Sequence, residues 1–165
     1  MEIIRINDES IRIKGKKISV VTDPDEKAEG DVFIYTTRSE SRTSMANTEG
    51  KLVVEGPGEY EVGGVHFRVS SDNDNLIYKI DEDSNVLLLT SKSAKKVEEG
   101  DYTAVIIKAV EKLEEGDLSN FSSSNIVLYG KEENIALNDA NLKRIPKVNL
   151  KKKDEIQGFI VVLSK

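Results

Sequence analysis

A hairpin, a connector, a Gly-Asp pair and a buried strand follow one another twice along this chain, and that repeated grammar restricts the fold more than any single motif. In the first pass Ile11-Arg12-Ile13 alternates apolar and polar residues, Lys14-Gly15-Lys16-Lys17 turns, and Ile18-Ser19-Val20-Val21-Thr22 returns. Asp23-Pro24-Asp25 ends the hairpin, since proline cannot donate to a ladder and Asp caps its own turn. Gly30-Asp31 then leads into Val32-Phe33-Ile34-Tyr35. In the second pass Leu76 to Ile80, the acidic turn Asp81 to Asn85 and Val86 to Thr90 form the hairpin, and Gly100-Asp101 leads into Ala104-Val105-Ile106-Ile107. Thr22 corresponds to Thr90 and Gly30-Asp31 to Gly100-Asp101, a pattern of internal duplication; the alternative is that short hairpins share composition for physical reasons. Two such β halves would bury their strands between two sheets and cover the outer faces with helices.

Helical candidates are few: Ser91 to Glu99, Val110 to Leu118, and Lys131 to Arg144 before Pro146, none with a strong apolar stripe. The closing run Gly158 to Leu163 is almost wholly apolar and belongs inside a sheet covered on both faces. At 165 residues one domain, 1–165, is expected.

Several function classes are disfavoured. With no cysteine, disulfides, thiolate catalysis and cysteine-held zinc are ruled out, and an intracellular home is consistent with that. A net charge of −6 opposes nucleic-acid binding. The basic clusters Lys14 to Lys17 and Lys151 to Lys153 are expected to be solvated strand edges. No apolar run approaches the roughly 20 residues that span a bilayer, and Met1 to Ser10 is charged throughout. A cytoplasmic protein with no membrane partner is expected.

Between the two halves lies Val53-Val54-Glu55-Gly56-Pro57-Gly58-Glu59-Tyr60-Glu61-Val62-Gly63-Gly64-Val65-His66-Phe67. Gly56, Pro57, Gly58, Gly63 and Gly64 read as structural turn residues, a tight corner feeding a strand from Tyr60. They are not a phosphate cradle, because no Lys-Ser or Lys-Thr follows them and the spacing does not fit G-x-G-x-x-G.

This segment resembles the Gly-Pro-Gly-Glu-Tyr-Glu-Val stretch of small metal-dependent hydrolases of the metallo-β-lactamase superfamily, the branch similar to ascorbate-phosphate lactonases. Ser10 to Lys17, Val21-Thr22-Asp23-Pro24, Gly30-Asp31-Val32 and Val148 to Lys152 resemble further pieces in family order. The resemblance implies an α+β fold, an αββα sandwich of metallo-β-lactamase type that is β-rich with reduced helices. It also implies that the metal ligands are lost. Where the active relatives carry H-x-H-x-D-H, this chain has Thr37, Ser39 and Arg42 at the histidine positions and Ser41 at the aspartate position. Hydroxyls are weak zinc ligands, and a guanidinium adds a fixed positive charge. Later ligand places fall at Ser70-Ser71-Asp72, Thr90-Ser91 and near Tyr129-Gly130, again without the expected groups. The only histidine, His66, lies within a strand and reads as a surface or partly buried side chain.

Other constellations weaken on inspection. Asp72-Asn73-Asp74-Asn75 departs from the EF-hand pattern at Leu76 and Ile77 and reads as a loop tip, and Asp81-Glu82-Asp83 reads as a solubilising turn. No G-x-S-x-G elbow occurs. Arg38 and Arg42, with Ser39 and Ser41, suggest an anion-binding pocket at a helix start; the alternative is a solvated polar loop. The expected function is therefore a non-catalytic pseudoenzyme, a binding or scaffold module without a cofactor. Its partner would be an unknown protein or a small anionic ligand, with a homo-oligomer or pairing with an active relative as further options. The competing expectation is a hydrolase holding magnesium or manganese through Asp23, Asp72 and Glu40.

Overall fold

The computed structural model describes residues 1–38, 48–92, 94, 96–121, 125–138, 142–150 and 158–165. Two sheets face each other. The first holds β1 (Glu2–Arg5), β2 (Ile11–Lys14), β3 (Ser19–Thr22), β4 (Val32–Ile34), β5 (Leu52–Val54) and β13 (Lys147–Asn149), in the order β13-β1-β2-β3-β4-β5. The second holds β6 (Gly58–Val62), β7 (Val65–Asp72), β8 (Asn75–Glu82), β9 (Asn85–Ser91), β10 (Ala104–Ala109), β11 (Asn125–Gly130), β12 (Leu142–Ile145) and β14 (Ile160–Leu163). Its order is β12-β14-β11-β10-β9-β8-β7-β6, with both parallel and antiparallel pairs.

The repeated grammar recurs as repeated pairing. β2 and β3 are antiparallel and β4 then lies parallel to β3; β8 and β9 are antiparallel and β10 then lies parallel to β9. Thr22 ends β3, and Thr90 lies one residue before the end of β9. Gly30 stands where a side chain has no room, since a Cβ there would come within 2.7 Å of Val21 Cγ2.

The glycine-rich segment is the corner between the sheets. Only Glu55, Gly56 and Pro57 separate Val54 in one sheet from Gly58 in the other, and the Tyr60 hydroxyl donates to the Gly56 carbonyl at 2.9 Å to hold the bend. The strand begins at Gly58 rather than Tyr60, because Gly58 already pairs with Val69. Gly63 and Gly64 have φ of 57° and 79°, which the two-residue turn between β6 and β7 requires and L side chains resist. Asn73 and Asp83 take positive φ in the next two hairpin turns, where Asx residues tolerate it best. The calcium-like stretch is therefore a turn between paired Asp72 and Asn75.

The apolar runs bury two layers. Ile3, Ile13, Val20, Ile34, Phe67, Tyr78, Leu87, Leu89, Ile106 and Val127 fill the space between the sheets. Ile77, Leu88, Val105, Ile107, Ile126, Leu128 and Val162 form a second cluster on the other face of the eight-stranded sheet. β10 and β11 are buried at every position, which is why they read as continuous apolar runs.

The expected helices do not form among the described residues. Of 91–99, Ser91 closes β9 and Ala94 and Val97 lie against the outer cluster; 110–118 holds only a 3₁₀ turn, Glu115–Asp117; 131–144 holds the turn Glu132–Asn134 and the start of β12. Without an apolar stripe, each segment touches the sheet at one or two anchors instead of along a face. No helix among the described residues is long and apolar enough to cross a membrane.

Glu82 departs from its reading as a solubilising turn residue. It is 2% exposed, and its carboxylate accepts the backbone N–H groups of Lys16 and Lys17 at 3.1 and 3.0 Å. The basic turn is thus partly a carboxylate cradle that ties one sheet to the other. Tyr78, in the middle of β8, also ties the sheets together. Its buried hydroxyl donates to the Tyr35 carbonyl at 2.6 Å, accepts the Tyr35 N–H at 3.3 Å and lies 3.1 Å from the Val54 carbonyl. Removing that hydroxyl strands buried backbone groups at the ends of β4 and β5. Tyr78→Phe should destabilise by about 1–3 kcal/mol, measured by urea unfolding with an unchanged m-value.

Candidate functional site

Strands β3, β4, β9, β10 and β11 run parallel within their sheets and deliver their carboxyl ends to one edge of the sandwich. Asp23 follows β3 with φ of 42°. Its Oδ1 accepts the Thr36 N–H at 2.9 Å, and its Oδ2 accepts the Thr36 hydroxyl at 2.5 Å. The Lys108 ammonium, near the end of β10, donates to the same Oδ2 at 2.9 Å and lies 2.8 Å from Glu9 Oε2. Lys108 comes from the eight-stranded sheet and Asp23 and Glu9 from the six-stranded side, so the ion pair closes the edge.

The three groups differ in exposure: 8% for the Lys108 side chain, 15% for Asp23 and 61% for Glu9. Burial alone would pull the Lys108 pKa down. The Asp23 charge and the hydrogen bonds to Glu9 and Asp23 more than offset it, holding the pKa above the ordinary 10.5. Beside them Tyr129 is fully buried; its burial, then the Asp23 charge, push its phenol well above 10.0, and the Thr22 hydroxyl opposes this only in part. Lys108 and Glu9 line a cleft of about 280 Å³ with Asp8, Gly130, Lys131 and Glu133. Gly130 keeps its floor open to backbone contact, since a Cβ there would lie 2.8 Å from the Ala109 carbonyl oxygen.

The sequence-predicted positions are only partly gathered here. Thr37 pairs with Asn75, Arg38 donates its N–H to the Asp74 carbonyl at 2.9 Å, and its guanidinium donates to Ser71 Oγ at 3.0 Å. The segment leaving β4 is thus zipped onto the turn between β7 and β8, with the Leu76 N–H on the Thr36 carbonyl at 2.9 Å. Ser39, Glu40, Ser41 and Arg42 lie outside the described residues. Ser91 Oγ donates to Asn75 Oδ1 at 3.0 Å, and Asp72 Oδ2 accepts the Lys96 N–H at 3.0 Å. The carboxylate set of Asp23 and Asp72 is not assembled into one donor group, because each is committed to different partners. His66 is 66% exposed on β7, 3.8 Å from Glu61.

Lys108 and Glu9 were not among the residues expected from the sequence. The signal was present: Lys108 is the one charge in the apolar run from Ala104 to Val110, and a lysine inside a buried strand needs a partner.

Zinc is the group that the resemblance would place at this edge, and the described residues do not fit it. Both Asp23 oxygens are taken, a positive charge already stands between Asp23 and Glu9, and no three His, Cys, Asp or Glu side chains converge among the described residues.

No family model matches the sequence, and no curated protein matches it. Solved structures do. One assigned to the zinc-dependent hydrolases of the metallo-β-lactamase superfamily, from Thermotoga maritima, aligns at 14% identity over 98% of both chains with a TM-score of 0.67. An isothiocyanate hydrolase from Delia radicum gut bacteria aligns at 9% identity over 98% of this chain and 95% of its own, with a TM-score of 0.57. The metallo-β-lactamase fold protein YhfI from Bacillus subtilis aligns at 8% identity over 99% and 96%, with a TM-score of 0.52. The fold is therefore the metallo-β-lactamase fold. These neighbours also correct the expectation that the chain is no enzyme: two of the three are described as hydrolases, so this is a fold on which hydrolysis is carried out.

Breaking the buried pair leaves Asp23 desolvated and uncompensated. Lys108→Met should cost about 3–5 kcal/mol, and Asp23→Asn in the same chain should recover part of it in chemical denaturation. Because the Lys108 pKa is raised in the folded state, its stabilisation is complete below pH 10.5 and lost as pH climbs through the folded value. Wild type should therefore lose stability above that pH more steeply than Lys108→Met.

Proposed function

We propose that the chain is a small-molecule hydrolase working at the carboxyl edge of its parallel strands, with the Lys108 ammonium in place of a metal ion. One observation carries this reading: a buried ammonium held at 2.8 and 2.9 Å by Glu9 and Asp23 on the floor of a cleft, on a fold shared with hydrolases.

The chemistry follows from the division of exposure. Asp23, tied by Thr36, fixes Lys108 and takes no further part. Glu9 reaches solvent and can hold a water by its free carboxylate oxygen. As that water attacks a substrate carbonyl, its proton passes to Glu9, the new C–O bond forms, and the carbonyl electrons move onto oxygen beside Lys108. Collapse of that intermediate expels the leaving group, which takes the proton from Glu9. A fixed charge aimed at the developing oxyanion needs no reorganisation during the reaction. Three carboxylates and two ammoniums line the cleft, so neutral or cationic carbonyl compounds suit it better than anions.

The competing reading is a small anion held by Arg38 together with Ser39, Ser41 and Arg42, supported by the exposed Arg38 guanidinium. Phosphate titration followed at the Arg38 amide distinguishes it from the first.

Purified chain should hydrolyse members of a panel of small esters and thioesters at a rate that a chelator leaves unchanged. Glu9→Gln should lower kcat by about 100-fold or more, the ordinary worth of a general base, with little change in unfolding midpoint. Absence of turnover across the panel, or activity lost to chelation and restored by zinc, would falsify the assignment.

A further inference from the structure

The eight-stranded sheet carries a second cavity, on the face turned away from the sandwich interior. It has a volume of about 820 Å³, a size that accommodates a drug-sized molecule. It exists because the segments at 92–103 and 110–121 cross that face with only 3₁₀ turns among their described residues, leaving space over the strands.

Its floor contains a buried hydroxyl with an unmet need. Along β9, Leu89 points into the inter-sheet core and Leu88 into the outer cluster; Thr90, two residues after Leu88, shares the outer side and pairs in register with Ile107. Thr90 is 4% exposed and lines the cavity, and its Oγ1 has no hydrogen-bond partner among the described residues. A buried hydroxyl left unpaired costs about 1–3 kcal/mol, so such a group in a native protein calls for an explanation, a functional role or an ordered water among them. Tyr102, Leu113 and Phe121 supply apolar walls. The charged lining is one-sided: Glu98, Glu99, Glu111 and Asp117 against Lys92, and Lys92 is already bound to Asp117 at 2.6 Å.

The geometry points to a binding site for a small amphipathic amine. Its apolar body packs between Tyr102, Leu113 and Phe121, a polar atom reaches Thr90 Oγ1, and its ammonium faces the carboxylates at the rim. The site stands apart from the Lys108 cleft, because Lys108 follows Ile107 on β10 and projects to the other side of the sheet.

The test is a titration of the full chain with 2-phenylethylamine, with phenylacetate and 2-phenylethanol as charge controls, read by backbone amide shifts. The amine should move the amides of Thr90, Tyr102 and Leu113 at millimolar concentration and the carboxylate should not. Thr90→Val should bind the amine about tenfold more weakly, the worth of one hydrogen bond, while unfolding no earlier than wild type. Glu99→Lys with Glu111→Lys, both on exposed residues, should transfer the preference to phenylacetate. Glu9→Gln should keep amine binding, which separates this site from the hydrolytic one. Equal binding of amine and carboxylate, unaltered affinity in Thr90→Val, or no shift at those amides would each overturn the proposal.

Discussion

The Lys108–Asp23 ion pair joins the carboxyl ends of the two sheets. Lys108 in β10 reaches Asp23 after β3 at 2.9 Å, and Asp23 in turn fixes Thr36 after β4 through both of its oxygens. Desolvating an ammonium and a carboxylate costs several kcal/mol per ion unless other bonds complete the pair. Here Thr36 completes Asp23 and Glu9 completes Lys108, so the pair joins the Glu82 and Tyr78 contacts in fixing one sheet against the other. The left-handed backbone of Asp23 follows from the same demand, since its side chain must turn back toward β4 while facing β10.

Much of the sandwich was legible because its signals are local. The hairpin of β2 and β3, the second hairpin of β8 and β9, and the buried run of β14 each carry their own alternation or apolar run, and Gly63-Gly64 announces its turn by composition. The segments 91–99, 110–118 and 131–144 were misread as helices for a physical reason. They lack the continuous apolar stripe that a helix would need, and their few apolar residues, Leu113 and Ile135 among them, serve as single anchors that cover the outer face of the eight-stranded sheet.

The site was less legible because it is assembled from residues far apart in sequence. Glu9, Asp23, Thr36 and Lys108 carry no motif and meet only when both sheets are in place. The family pattern points to Thr37, Ser39, Ser41 and Arg42 and says nothing of Lys108, a charge inside a buried strand. Glu82 shows the same blindness on a smaller scale: a carboxylate in an acidic turn looks solvated until the amides of Lys16 and Lys17 arrive from the other sheet.

An ammonium is a limited substitute for a divalent ion, and that limit shapes what chemistry the proposed site can perform. A metal both stabilises an oxyanion and ionises bound water, lowering its pKa toward 7. Lys108 supplies only one positive charge, already shared with Asp23 and Glu9, and cannot generate hydroxide. The water must then be activated by the Glu9 carboxylate alone, without a metal to ionise it, so the remaining barrier has to be small in the substrate itself. Activated esters, thioesters and strained or cumulated carbonyl equivalents meet that condition, and unactivated amides do not. A site of the proposed kind would confine hydrolysis to substrates whose carbon is electrophilic before it binds.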